Sequence, residues 1–199
     1  GNEAQPQPAS TGSPSSGARA AAAGHSSSER KTVPQSDKAS PAEIHQTLSL
    51  LLAQLTLRPA HREHLRSPKR GLSDEQIEAL GFKSTPPPFL CRSITDRLIR
   101  QGCRVQGVPG FYRDDSGHWT MAFYKKTSGI LIPAIGFDGR LQGFQIMLDV
   151  PLKHKDDPPE KPGAKYIWFS SSSKTDGTGS GSPVHLIDDP SARVVYVIE

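Results

Sequence analysis

The chain has 199 residues, with 24 Lys and Arg against 20 Asp and Glu, a formal net charge of +4, and 18 Gly and 18 Pro. That length accommodates one domain with a tail, the charge permits a polyanionic partner without requiring one, and two cysteines are too few for a disulfide framework. No apolar run reaches membrane length and no secretory leader pattern opens the chain, so no membrane partner and a reducing, cytoplasmic setting are expected. The chain starts at Gly1 without Met and stops inside a strand pattern, and is expected to be a fragment of a longer protein.

Residues 1–39 are Ala, Ser, Gly, Pro and Gln with almost no large apolar side chains, the composition of a disordered tail or linker. Ordered structure is predicted from Ser40, where a capping Ser is followed by Pro41 and by Glu43 at the third helical position. Ile44, Leu48, Leu51, Leu52 and Leu55 then recur at helical spacing and form one apolar stripe. The run Arg58 to Arg70 holds five Lys and Arg against the single acid Glu63, and is the strongest basic patch. Arg62 and Arg66, four apart, share a helical face and suit phosphate oxygens by bidentate geometry. The competing reading is a solvated surface, because no aromatics are interleaved for base stacking. Ser73 and Gln76 make a second capping box for a short helix with Ile77 and Leu80 inward. After Pro86 to Pro88 a third amphipathic helix runs from Cys91 to Gln101. Its arginines, Arg92, Arg97 and Arg100, touch nucleic acid or solvate a face.

The second half reads as strands. Asp114 to Gly117 separates Phe111-Tyr112 from Trp119 to Tyr124, and Asp138-Gly139 separates Gly129 to Ile135 from Arg140 to Leu148, so two hairpins are predicted. On the last of these strands Phe144, Ile146 and Leu148 are predicted on one face and Leu141, Gln145 and Met147 on the other. Lys165 to Phe169 returns as a strand after a Pro-rich loop. Ser170 to Ser182 is a Ser/Gly loop, and Val194 to Glu199 is a uniformly apolar strand closed by an acid. A carboxylate at the C-terminal end of such a strand is a candidate catalytic or metal ligand, or merely the point where a strand meets solvent.

Other chemistries fit poorly. His61, His64, Cys91 and Cys103 lack zinc-knuckle spacing, so no zinc is expected and both cysteines read as small buried hydrophobes. Gly177 to Ser182 lacks the Lys-Ser/Thr ending of a P-loop, and no nucleophile elbow sits between a strand and a helix.

The order of motifs is more telling. Gly129-Ile130-Leu131-Ile132-Pro133, then Asp138-Gly139-Arg140-Leu141-Gln142-Gly143-Phe144, then Ala164-Lys165-Tyr166, then an apolar strand ending in Glu, resembles the catalytic core of DnaG-type primases just before and into the toprim domain. Residues from about His61 to Glu199 are more closely similar to the domain that precedes toprim in replication proteins of bacterial plasmids and integrative conjugative elements. Gly71 to Ile77, Gly107 to Tyr112 and Ser180 to His185 carry that second match.

The resemblance implies an α+β fold in which small N-terminal helices are followed by antiparallel β-hairpins, ending at the first strand of a truncated toprim-like α/β domain. The implied boundaries are a tail at 1–39, a primase-like domain at 40–193 and the toprim strand at 194–199. Glu199 would be the first toprim acid, catalytic and Mg²⁺-binding together with later carboxylates that this sequence does not contain. Lys165 and Arg140 would lie near template and nucleotide; Lys165 also reads as a solvated edge charge, and Arg140 as turn chemistry. Where the primase pattern closes its Gly-Phe strand with Arg, this chain has Met147. The implied partners are DNA or RNA, single-stranded, and other replication proteins, with phosphoryl or nucleotidyl transfer expected only in the intact protein. The alternative is a non-catalytic nucleic-acid or protein interaction module.

Overall fold

A computed structural model describes residues 33–153, 157–158 and 160–185. The strand 194–199, with Glu199, lies outside the described residues, as does most of the tail. Residues 33–39, which composition assigned to the tail, pack on the body. Gln35 bridges Gly177, the Ala39 amide donates to Gly107 O at 2.9 Å, and Ala39 is buried.

Among the described residues four helices form, α1 (Pro41–Ala53), α2 (Pro59–Arg66), α3 (Asp74–Ala79) and α4 (Cys91–Arg100); α1, α3 and α4 lie where capping and periodicity place them, and α2 forms within the basic run without a side-chain cap. Capping boxes open α1 at Ser40 and α3 at Ser73, because in each case the side chain three residues on returns to the capping amide. Short strand β1 (Lys83–Ser84) and a 3₁₀ turn (Pro88–Leu90) lead into α4. The strands β2 (Phe111–Arg113) and β3 (Trp119–Met121) form one antiparallel hairpin, and β4 (Gly129–Ile135) and β5 (Leu141–Leu152) form the other. With β6 (Ala164–Trp168) the second hairpin completes an antiparallel sheet of order β1-β4-β5-β6. Among the described residues no helix is long and apolar enough to cross a membrane.

The sheet is covered on both faces. Neighbouring residues of a strand point to opposite sides. Leu131, Ile146 and Leu148 accordingly enter a large core with α1 and α4, whereas Ile130 and Met147 enter a small one with Leu65 of α2 and Ile77 of α3. In the large core Phe169 stacks on Phe123 at 4.3 Å and meets Phe111 and Phe144 at 6.2 and 6.0 Å. Cys91 and Cys103 are buried, and burial pushes the Cys91 thiol up to about 11.

Leu141 departs from strict alternation. It was expected beside Met147 but packs in the large core with Phe144. A register shift between Ala134 and Ile135 turns the start of β5 over, and His45 of α1 accepts the Leu141 amide at 3.0 Å, holding that turn of backbone against α1.

Candidate nucleic-acid interface

The small-core side of the sheet carries a cleft of about 280 Å³ lined by Ala60, His61, His64, Ile130, Met147, Leu148, Asp149 and Lys165. Three elements build it. Pro59 starts α2 at a position where its missing amide costs nothing, and the following turn aims His61 and His64 at the sheet. The end of β5 places Asp149 after the last buried residue of the strand, and β6 supplies Lys165 from the sheet edge.

A dense polar cluster forms one wall. His61, only 8% exposed, has Nδ1 2.8 Å from Ser84 Oγ and Nε2 2.8 Å from Asp149 Oδ1. Nε2 also lies 2.7 Å from Arg58 Nη2, so a carboxylate acceptor and a guanidinium donor meet at the same ring nitrogen. Ser84 Oγ in turn accepts the Arg58 amide at 2.8 Å. Asp149 Oδ2 receives Arg58 Nη2 at 3.0 Å and the Ser128 hydroxyl at 2.8 Å. Burial and the Arg58 charge hold His61 below its ordinary range, against the pull of Asp149. Burial alone would raise the Asp149 carboxyl, but hydrogen bonds from Ser128, Arg58 and His61 outweigh it and keep the group low. The order Ser84, His61, Asp149 has the composition of a nucleophilic relay. However, Ser84 is buried and its oxygen is already taken up by a backbone amide. The cluster therefore braces α2 against β1 and β5, with a neutral imidazole facing the cleft.

Beside the cleft, Arg70 Nη2 donates to Tyr166 Oη at 2.8 Å and lies 3.0 Å from Met147 Sδ. Met147, in the middle of β5, thus has a guanidinium next to it, brought by the loop after α2. Lys165 lines the cleft together with His64, and the next residue on β6, Tyr166, is the one Arg70 holds.

The predicted site residues separate. Arg62 and Arg66 do share a face of α2, but Arg62 is clamped by Asp74 and Glu78, each at 2.7 Å, and Arg66 lies 3.7 Å from the same Asp74. These hydrogen bonds raise the Arg62 guanidinium further and balance its charge within the α2–α3 pair. Arg140 stands at the β4–β5 turn, 3.3 Å from Asp138 Oδ2, with its amide on Asp138 Oδ1. That turn is at the opposite end of β5 from Asp149. Lys165 alone of the four lines the cleft. Sequence reasoning passed over Asp149, weighed His61 only as a zinc ligand, and gave Arg58, Arg70 and Tyr166 no individual role within the basic run and the Lys-Tyr motif. Asp149 follows Ile146-Met147-Leu148 just as Glu199 follows Val197-Ile198, so the pattern that singled out one acid also marked the other.

No family model and no curated protein matches the chain. Among solved structures it is similar to the RNA polymerase domain of Mycobacterium tuberculosis primase DnaG in complex with a double-stranded DNA oligomer with a 6-nucleotide overhang. The identity is 17%, over 67% of this chain and 40% of that one, with a TM-score of 0.46. Similarity also extends to a DnaG primase catalytic domain bound to single-stranded DNA, at 20% identity over 64% of this chain and 37% of that one, with a TM-score of 0.36. For a DNA primase domain from Pseudomonas aeruginosa the figures are 16%, 64% and 38%, with a TM-score of 0.36. The chain spans about two fifths of the length of the primase domains it is similar to.

Proposed function

We propose that this chain is the nucleic-acid-associated N-terminal part of a primase-like protein of a bacterial mobile element, and that single-stranded nucleic acid passes the cleft at Lys165 and His64 and the neighbouring Arg70–Tyr166 pair. The observation that carries this reading is the position of Lys165-Tyr166. The dipeptide that matches the primase motif is set on an edge strand beside an open cleft, with a cation from another element bonded to the tyrosine. Lysine and arginine supply phosphate contacts there, and the tyrosine ring offers a face for a base.

In the intact protein the proposed chemistry is Mg²⁺-dependent phosphoryl or nucleotidyl transfer, with Glu199 as one ligand. Glu199 lies outside the described residues, and among these no three His, Cys, Asp or Glu side chains converge as a metal site. The described residues do not make that site. A reading frame that continues with Gly and an Asp-x-Asp pair within about 100 residues, a domain length, supports the transfer reading; a frame without them removes it.

Binding is tested by fluorescence anisotropy with a labelled single-stranded oligonucleotide. Wild-type chain is expected to bind and to release with added salt. Lys165→Ala is expected to weaken binding and to lower the log–log salt slope by about 0.7, the share of one phosphate contact. Binding that is absent, or insensitive to salt, overturns the reading.

A further inference from the structure

Across the sheet from the cleft, α4 presents a second cationic surface. Its inner face, Cys91, Ile94, Thr95 and Leu98, is buried, which turns Arg92, Arg97 and Arg100 outward. Arginines elsewhere are largely spoken for inside the chain: Arg58 by Asp149, Arg62 by Asp74 and Glu78, Arg104 by Glu43, Arg113 by Asp176 and Arg140 by Asp138. Among the described residues none of the three α4 arginines forms an ion pair. Asp96, the acid on the same face, lies four positions from both Arg92 and Arg100 and closes with neither. Arg92 does act at a distance, helping to hold the Asp114 carboxyl low behind the hydrogen bonds from the His118 and Ser116 amides. From Arg92 to Arg100 the helix rises about 12 Å, the axial span of about three phosphates of one strand at duplex spacing.

The second observation is Phe89. The 3₁₀ turn that opens into α4 leaves its ring 81% exposed, with Leu90 beside it at 39%. No core requires an aromatic there, since the turn buries none of its residues. A free ring at one end of a row of unpaired guanidinium groups is the combination that holds single-stranded nucleic acid: charge tracks the backbone and the ring accepts a base. A site for duplex would have no use for the ring, because stacked bases offer no face to it.

We infer that the Phe89–Arg100 surface of α4 is a second single-strand contact, on the face of the sheet opposite the Lys165 cleft. It rests on the reading that the chain binds nucleic acid, and not on the cleft. A strand held at both places wraps the sheet edge.

The test is anisotropy with a labelled oligo(dT) on three variants: Arg92→Gln/Arg97→Gln/Arg100→Gln, Phe89→Ala and Lys165→Ala. All the altered side chains are exposed and Gln is a good helix former, so unchanged circular dichroism and melting are expected. The triple variant is expected to bind more weakly, with the log–log salt slope lower by about 2. Phe89→Ala is expected to bind roughly tenfold more weakly with its salt slope unchanged. A wild-type slope and affinity in the triple variant, with Lys165→Ala weakened, overturns the α4 site and leaves the cleft standing. Loss in the triple variant with Lys165→Ala unaffected keeps α4 and removes the cleft. Phe89→Ala binding like wild type, with polyglutamate displacing the oligonucleotide as well per charge as oligo(dT) does, overturns the single-strand site in favour of an acidic protein segment. A wild-type chain that binds no oligonucleotide overturns both.

Discussion

An unfolded chain protonates the imidazole at position 61 as pH falls through about 6.5, whereas in the folded protein burial and the Arg58 charge hold the His61 pKa below that value. A histidine whose folded pKa lies below its unfolded one binds fewer protons when folded, so its contribution to stability is present above pH 6.5 and is lost as pH falls toward the folded value. Asp149 acts in the same direction lower down. Its depressed carboxyl adds stability above about pH 3.8 that disappears as pH drops through the folded value. Melting temperature is therefore expected to fall between pH 7 and pH 5. His61→Gln should melt lower than wild type at pH 7 yet show a flatter decline, and an equal decline in both would assign the acid sensitivity elsewhere. Little of this was legible in the sequence. A histidine in a basic run gives no sign that an aspartate 88 positions later will reach it, because that contact depends on how α2 lies on the sheet. The same holds for Arg62, whose partners Asp74 and Glu78 look from sequence like the solvated face of another helix.

Among the elements, those specified locally were read well: both capping boxes, the Asp138-Gly139 hairpin and the Asp114 to Gly117 hairpin all form at the predicted places. The side on which Leu141 packs was not readable, since a single register shift reverses it and depends on pairing with Ala134 and Ile135. Gly110 shows how tightly the β2–β3 hairpin meets the aromatic cluster. Its φ of +89° lies in the left-handed region, and a Cβ there would overlap the Phe169 ring. Gly110→Ala is expected to cost at least about 2 kcal/mol in urea unfolding, from backbone strain before any displacement of the ring. Phe169→Ala removes the ring that touches Phe111, Phe123 and Phe144 and should cost about 3–5 kcal/mol. A loss below about 1 kcal/mol in either variant would show that the cluster repacks freely.

For the whole molecule, the α+β class and the sequence of helices before hairpins followed from periodicity and turn chemistry, while the division into two unequal cores did not. Alternation along β4 and β5 shows two apolar faces but cannot say how much helix will cover each. The large core draws on α1, α4 and both hairpins, whereas the small one has four buried hydrophobic residues, Leu65, Ile77, Ile130 and Met147. Free energies of local opening follow such differences in buried contacts. Amide hydrogen exchange should accordingly be faster in α2 and α3 than in β4 and β5, and a mass-spectrometric exchange map with uniform protection would contradict it. The cleft lies on this thinly supported side. A strand bound there at 100 times its dissociation constant would add about 2.7 kcal/mol against opening, so the ligand would act as a clamp on the two helices that the core itself holds least.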